Sequence, residues 1–404
     1  MANTLITPSI IAKVGLANLE NNLVMGRKVY RDYTREFVKV GNTISVRRPV
    51  QFQAINGATA VNQDVTEGKF SLVMGSRKHV SWSFNTQDLT LAIEEYNKRY
   101  IEPACIALAN QIDADLCALA NQVWNWVGTP ATTISTYAGF VKGPKQLDIS
   151  SVPQNGRAAV LSPTDVWGLL GSQTTLFSPQ LVGKAFTDGD LGDIGGVTTA
   201  MDQNVLQYTN GNFVGTPKVN GSNQSTTYAA AANTNQMTLI TNGWTATTAT
   251  VNAGDVFTIA GVNQVNVRSK VTTGQLQQFV VAAPVTADSG GNMTLTISPA
   301  IITSGPYQTV DSVPASLALM TFVGTANQVS AQNLCFHKNA FALVMADLEM
   351  PDGAVWKARE SQNGFSLRAL KWFDGENDEE KIRLDVLYGV KAIYPDLATR
   401  LSGT

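Results

Sequence analysis

The middle of this chain changes composition abruptly, and the change limits the possible domain plans. Between Gln203 and Ser330 only six residues are charged, while threonine, asparagine, glycine, valine and alanine dominate. Short runs with strand-like alternation recur there between glycines and asparagines; they are Gln236–Ile240, Val256–Ile259, Gln278–Val281, Met293–Ile297 and Leu317–Val323. The earlier composition resumes afterwards. We therefore predict an all-β domain at residues 212–328, inserted into a parent domain that is built from both sides of it.

The first 85 residues contain two segments that cannot bury their own apolar faces. Residues 1–34 place apolar side chains at helical spacing, with Pro8 suited to a first turn, and predict an amphipathic N-terminal arm. Residues 35–85 alternate on both sides of turn formers near Asn56 and Gly68, which predicts a long two-stranded hairpin with flanking strands. Because a lone hairpin is marginally stable in water, we expect this one to rest on another chain.

A long helix is predicted at residues 86–128. Thr86 belongs to a polar cap, apolar residues follow at helical spacing, and Pro103 marks either a kink or the first turn of a second segment. The helical stretch from Pro103 to Val127 would be about 37 Å long at 1.5 Å per residue. Asp113 and Asp115 are expected on its exposed side.

The remaining segments complete an α+β parent domain. Residues 129–211 predict a buried strand that begins at Arg157, followed by a helix with Pro163 in its first turn. Residues 329–404 end in an alternating stretch from Lys381 to Tyr394, which predicts another strand.

Composition argues against several classes of protein. Only 15% of the 404 residues are charged, against roughly 25% in soluble domains, which is consistent with repeated protein–protein contact over much of the surface. The net charge of −2 provides no basic surplus for tight nucleic-acid binding, although a mildly polar lining that faces DNA is compatible with it. We expect neither a signal peptide nor a membrane-spanning helix.

The chain offers little material for catalysis. Cys335 and His337 are close enough in sequence to form a nucleophile pair, but no third residue that would orient them is recognisable. His79 lies in an alternating stretch and is expected at a solvated surface or an interface. The three cysteines lack the spacing of a disulfide framework or a zinc cluster and favour a reducing cytosol. We expect no catalytic residues, no metal and no cofactor.

Two acidic segments have ordinary explanations. Asp188, Asp190 and Asp193 lack the spacing of a calcium loop, so we expect a glycine-rich turn. The acidic run at residues 374–380 is typical of a solvated loop. In an assembly it could instead meet a basic pair, either at residues 47–48 or at residues 77–78.

Together these observations predict a self-assembling structural protein, because apolar faces without a partner in their own chain require a neighbouring copy. The candidates for contacts between subunits are Arg47, Arg48, Phe52, Asn56, Gly57, Glu67, Arg77, Lys78, Asp374, Glu376 and Asp378.

The order of the segments resembles the P22-like family of tailed-phage coat proteins, and the match extends over nearly the whole chain. The stretches that carry the resemblance are Thr86–Leu91, Tyr100–Ala104, Leu108–Asp113, Gly128–Pro130, Gly192–Gly196 and Gly254–Val262. The resemblance implies an HK97-type fold. Its parts would be an N-arm at 1–34, an E-loop with flanking P-domain strands at 35–85 and a spine helix at 86–128. The first part of the A-domain would follow at 129–211, a β-barrel-like I-domain at 212–328, and the rest of the A- and P-domains at 329–404.

The resemblance also implies a function. Such a chain would form the icosahedral head of the virion from hexamers and pentamers, assembled in the bacterial cytoplasm with a scaffolding protein and a portal. The head would enclose double-stranded DNA without reading its sequence, and it would expand during packaging. Another phage structural role, such as tail tube, adhesin or decoration protein, stays open because of the β-rich tract. An enzyme would need two positioned acids, yet no glutamate occurs between Glu102 and Glu349.

Overall fold

The computed structural model describes residues 8–32, 43–173 and 191–403, except positions 49, 53, 56, 61, 64–66, 86–96 and 355. Asn56, the predicted helix start at 86–96, Asp188 and Asp190 lie outside the described residues. The chain divides into two compact units. The first comprises Met1–Ile44, Ser71–Leu116 and Phe341–Lys391, and the second comprises Ser45–Phe70, Cys117–Ala340 and Ala392–Thr404.

Six α-helices are present in the described residues: α1 (Pro8–Asn22), α2 (Glu102–Cys117), α3 (Tyr137–Phe140), α4 (Lys142–Ile149), α5 (Pro163–Gln173) and α6 (Tyr228–Ala231). None of these combines the length and the apolar character needed to span a bilayer.

The strands of the first half are β1 (Thr43–Arg47), β2 (Lys69–Val73), β3 (Ser76–Asn85), β4 (Trp126–Val127), β5 (Arg157–Leu161), β6 (Asp193–Ile194), β7 (Val197–Met201) and β8 (Gln207–Thr209). Next come β9 (Gly215–Val219), β10 (Met237–Trp244), β11 (Thr250–Val251), β12 (Val256–Val265), β13 (Thr272–Val281), β14 (Val285–Thr286), β15 (Met293–Ser298) and β16 (Met320–Phe322). The last are β17 (Val329–Ala331), β18 (Asn333–His337), β19 (Phe341–Met345), β20 (Trp356–Gln362), β21 (Phe365–Asp374), β22 (Glu379–Ala392) and β23 (Ala398–Leu401).

In the first unit, the N-terminal helix α1 packs on the sheet of its own chain. Ala12, Leu16 and Leu19 are buried. A side chain at Gly15 would begin 2.8 Å from Leu367 Cδ2 on β21, so the missing Cβ lets the helix approach the sheet closely. The predicted helical arm is therefore present from Pro8. Our expectation that its apolar stripe needs a second chain was wrong for this stripe, because β20 and β21 cover it.

The aspartate at position 113 holds the end of the arm against helix α2. Its carboxylate accepts hydrogen bonds from the backbone N–H of Val24 at 2.6 Å and of Gly26 at 2.9 Å. Asp113 is only 1% exposed. Its expected place on the solvated side of the helix was wrong, because the arm covers that side. Asp115 is partly buried and accepts a hydrogen bond from Tyr388 Oη at 2.6 Å.

The long helix ends earlier than the sequence predicts. A π-helical turn (Asn97–Ile101) precedes α2, and a 3₁₀ turn (Ala118–Gln122) ends it. Val123 is already extended, and Trp126–Val127 form β4, which pairs in parallel with β23. The expected helical stretch to Val127 was therefore wrong. Hydrogen bonds to the sheet, such as Ser402 N–H to the Val127 carbonyl, replace the helical ones there.

The alternating residues 43–85 divide between two sheets. Strands β1 and β2 form a two-stranded hairpin, while β3 pairs antiparallel with β22. The predicted strand continuation through Val50 and Phe52 is absent in the described residues, because β1 ends at Arg47. The alternating final strand is confirmed as β22, and β3 alternates as predicted, with His79 on its exposed side.

In the second unit, a parent sheet has the order β4-β23-β18-β5-β7-β6. Its central strand β5 is buried along its whole length, as the sequence predicts. Helix α5 begins at Pro163 as expected, and Ser162 Oγ donates to Asp165 Oδ2 at 2.6 Å beside its first turn. The apolar residues of this sheet and of its flanking helices form one core that includes Phe140, Leu161 and Leu169.

The second unit also contains a six-stranded antiparallel sheet in the order β16-β12-β13-β15-β10-β9. All five runs predicted in the charge-poor tract form strands of this sheet, although β10, β12 and β13 extend further than expected and β16 is shorter. Its strands lie between Gly215 and Phe322, and its core includes Phe257, Phe279 and Leu295. An inserted segment can fold on its own only if its own residues form an apolar core, and these residues do so. Independent folding of residues 212–328 stays a prediction.

Residues 212–328 expressed alone are expected to give a dispersed amide NMR spectrum, because the sheet supplies its own apolar core. A collapsed spectrum would contradict the predicted domain.

Ile112→Asp should prevent folding of the first unit. Ile112 is fully buried in α2, and an unpaired carboxyl group there costs about 4 kcal/mol or more. Ala107→Asp, on the exposed side of the same helix, is the control and should have little effect. Urea denaturation followed by circular dichroism measures both, and a soluble Ile112→Asp monomer with native stability would contradict this assignment.

Candidate assembly surface

The segment that links β1 to β2 exposes apolar side chains. Phe52 is 67% exposed and Ile55 is 50% exposed. Gly57 adopts φ +130°, a conformation that side chains rarely allow, and a Cβ there would meet no atom within 4 Å. Large apolar groups held out in water are typical of contact surfaces. We call Phe52, Ile55 and Gly57 the hairpin tip.

The base of the hairpin, at residues 51, 68 and 69, rests on the inserted segment of its own chain. We call residues 212–328 the inserted sheet region. Gln51 N–H donates to Tyr307 Oη at 3.1 Å, and Lys69 N–H donates to Asn233 Oδ1 at 3.0 Å. A Cβ at Gly68 would lie 2.3 Å from the Ala232 carbonyl oxygen, so only glycine permits this approach. The expectation that the hairpin rests on another chain was wrong for its base.

Charged residues of the hairpin pair with each other. Arg47 Nη1 lies 3.1 Å from Glu67 Oε2, with the side chains 79% and 48% exposed. An ion pair this exposed contributes at most about 1 kcal/mol. Arg48 N–H donates to the Gly68 carbonyl at 2.7 Å, and its guanidinium carbon lies 5.6 Å from the Phe70 ring centre. Of the predicted contact residues in the hairpin, Phe52 and Gly57 are therefore left without a role inside the described chain.

The basic residues of β3 face acidic groups of their own unit. Arg77 Nη2 lies 3.7 Å from Asp385 Oδ1, and Lys78 Nζ lies 3.9 Å from Asp115 Oδ2. Asp385 is fully buried. It also accepts from Arg368 Nη2 and from Arg383 Nε, each at 2.7 Å. This cluster of Asp385, Arg77, Arg368 and Arg383, the Asp385 cluster, joins β3, β21 and β22.

Asp385 and Arg368 were not among the residues predicted from the sequence to be important. Two features of the sequence could have indicated them. Asp385 lies between the apolar residues Leu384 and Val386, and Arg368 lies in the preceding segment with strand-like alternation. Buried charges almost always have partners, so the placement was a cue to a buried ion pair. Which arginine forms it depends on strand register, which the sequence does not determine.

Two acids of the acidic run, Asp374 and Glu380, pair with lysines of their own hairpin, at the turn between β21 and β22. Lys381 Nζ donates to Asp374 Oδ2 at 2.5 Å, and Glu380 pairs with Lys371. Hydrogen bonds from Lys381 and from Asn377 lower the pKa of Asp374 to about 2. Glu376 N–H donates to Asp374 Oδ1, and Asp378 occupies a left-handed turn position with φ +52°. This arrangement agrees with a solvated turn. A contact between the acidic run and a basic pair of another subunit stays a prediction.

The catalytic candidates are structural. Cys335 is fully buried in β18, and burial raises the pKa of its thiol to about 12, so no thiolate nucleophile forms near neutral pH. His337 Nδ1 accepts a hydrogen bond from Asn339 N–H at 3.3 Å, and burial lowers the pKa of the imidazole. Asp193 is exposed in β6. Among the described residues, no three His, Cys, Asp or Glu side chains are arranged to hold a metal.

Comparisons with known proteins agree with this arrangement. A family model described as P22 coat protein, gene protein 5, matches residues 2–403. The chain belongs to this coat protein family. It is 22% identical over 427 residues to a major capsid protein of Acyrthosiphon pisum secondary endosymbiont phage 1, with all of both chains covered.

Solved structures were compared as well. The chain is similar to a protein of Mycobacterium phage Che8, with 13% identity, a TM-score of 0.49 and coverage of 95% of this chain and 92% of that one. It is also similar to the CUS-3 coat protein I-domain, with 30% identity and a TM-score of 0.20 over 28% of this chain and 98% of that one.

Family membership settles the main sequence predictions. The chain is a major capsid protein of a phage virion, a structural protein and not an enzyme. The predicted α+β class is confirmed by the helices and strands of the chain, and its membership of the coat protein family agrees with a capsid fold. The roles of tail tube, adhesin and decoration protein are set aside.

Asp385→Ala should destabilise the first unit strongly. Removing this carboxylate leaves the buried Arg368 without its counter-charge, which costs about 3–5 kcal/mol. Glu67→Ala breaks an exposed pair instead and should cost at most about 1 kcal/mol. Chemical denaturation of the two purified variants measures the difference. Equal losses would show that the Asp385 cluster is not what holds these strands together.

Proposed function

We propose that this capsid protein builds its shell from hexamers and pentamers, first as a precursor around a scaffolding protein, with a portal at one vertex. The precursor then expands as double-stranded DNA enters. The family resemblance supports this course of assembly. The observation that carries it for this chain is the hairpin tip, where Phe52 is held in water while the hairpin base is fixed.

The tip is suited to contact a second copy of the chain. Its base is hydrogen-bonded through Gln51 and Lys69, so little conformational freedom at the base is lost on binding. Burying a phenylalanine side chain contributes about 1.5–3 kcal/mol. One such contact is weak, but a shell repeats it many times, and the small individual energy keeps early assembly reversible.

The charge balance suits a container for DNA. With 29 basic and 31 acidic residues, the chain lacks the surplus that would fix phosphates to the wall. We infer that the shell encloses DNA without sequence-specific contacts.

Phe52→Asp should block shell formation while leaving the monomer folded. A carboxylate at the tip would have to be desolvated in the contact, which should raise the protein concentration needed for assembly by about tenfold or more. Phe52→Leu keeps an apolar side chain and is the matched control. Assembly with purified scaffolding protein is followed by sedimentation and negative-stain microscopy. Normal closed shells from Phe52→Asp would rule out the tip as a subunit contact.

Deleting residues 57–67 tests whether the rest of the hairpin also takes part in subunit contacts. The variant should retain the circular dichroism spectrum and melting temperature of the monomer to within a few degrees, and its subunits should associate weakly. Loss of the folded monomer would instead assign the hairpin a role within the chain.

A further inference from the structure

A cavity of about 140 Å³ lies within the second unit. Its walls come from the hairpin base, the inserted sheet region, the residue after helix α4 and the segment before β23; they include Arg48, Ser150, Lys270, Tyr307 and Asp396. Because the chain segments that form these walls are far apart in sequence, a ligand there would connect the hairpin to the inserted sheet region.

Lys270 brings a positive charge into this cavity. It sits in the turn between β12 and β13 with φ +57°, while the neighbouring Arg268 and Ser269 are exposed. Its Nζ has one long contact, 3.4 Å to the Gln308 carbonyl oxygen. Burial lowers the pKa of Lys270 to about 8. No carboxylate lies within ion-pair distance of this ammonium group among the described residues.

Two further donors in the wall are unused. Ser150 is 8% exposed, and its Oγ has no hydrogen-bond partner in the described part of the chain; the same holds for the buried Nε of Arg48. Leaving a buried donor unsatisfied costs about 1–3 kcal/mol. Such groups therefore indicate a ligand that accepts hydrogen bonds.

Tyrosine side chains and one carboxylate also belong to the wall. Tyr228 and Tyr307 stack with ring centres 3.4 Å apart, and Tyr307 Oη already accepts from Gln51 N–H. Asp396 is the one carboxylate in the wall, and burial raises its pKa, which weakens it as a counter-charge. The wall thus contains two cationic residues, one acid and Ser150, beside amide side chains such as Gln264 and Gln277. A compact group with several acceptor oxygens and a negative charge complements this set.

We propose that the cavity binds a small free oxyanion, represented by inorganic phosphate, through Lys270, Arg48 and Ser150. A cavity of this size has room for a phosphate and bound water. The bound anion would fix the hairpin base to the inserted sheet region. This site is independent of the contact proposed for the hairpin tip.

Titration of the purified full-length monomer with sodium phosphate tests the site. Isothermal calorimetry and melting temperature are recorded at constant ionic strength, with sodium chloride as the balancing salt. The wild type should give saturable one-to-one binding and a matching rise in melting temperature. Lys270→Met should weaken phosphate binding at least about tenfold, since it removes a charge-assisted contact. Arg268→Met, in the same turn but exposed, should bind as the wild type does.

Ser150→Ala separates a ligand role from a structural one. This hydroxyl has no partner to lose in the described chain, so the variant should melt with the wild type in the absence of phosphate and bind phosphate several-fold more weakly. It also keeps the test valid if Lys270→Met fails to fold.

Three outcomes would overturn the proposal. The first is the absence of saturable phosphate binding, which leaves water as the occupant. The second is equal weakening of phosphate binding by Arg268→Met, which indicates non-specific attraction by charge, and the third is unchanged binding in both Ser150→Ala and Lys270→Met. A short single-stranded DNA oligonucleotide forms the last arm. Binding of DNA without binding of free phosphate would assign the cations to a nucleic-acid backbone and refute the small-anion site.

Discussion

One buried carboxylate organises the first unit of this capsid protein. Asp385 has no exposed surface and is surrounded by guanidinium groups from three strands, β3, β21 and β22. A charge in that position is tolerated only with such partners, since desolvating it alone would cost more than the fold can provide. The cluster therefore fixes the pairing of strands that are about three hundred residues apart in the chain. Helix α1 packs on the same sheet, and helix α2 is hydrogen-bonded to it through Asp115 and Tyr388.

Features that depend on residues close together in the sequence were predicted correctly. Features that depend on residues far apart in the sequence were not. Strands of the inserted sheet were found because alternation and glycine or asparagine turns are local signals, and β5 and the start of α5 were found for the same reason. The end of α2 was placed wrongly because β4 exists only through pairing with β23, which comes from the end of the chain. Asp113 was misplaced since its partners are backbone groups 87 and 89 residues away.

The contact surface was predicted in part, and for a physical reason. An exposed apolar residue such as Phe52 can be suspected from an alternating segment rich in turn formers. Charged candidates are harder to judge, because a lysine or arginine reads the same in sequence whether it pairs within the chain or across subunits. Arg47, Arg77 and Lys78 have partners in their own chain. The unused donors around Lys270 and Ser150 carry no sequence signal, since they depend on what the fold leaves unpaired.

The way Asp113 holds the arm bears on how such proteins diverge. Its carboxylate binds main-chain N–H groups of positions 24 and 26 and not their side chains. Any residue other than proline supplies that N–H, so the residue at position 24 can be replaced without losing the hydrogen bond to Asp113. The aspartate itself has no such freedom. The arm of this coat protein can thus keep its attachment to helix α2 while the side chain at position 24 changes.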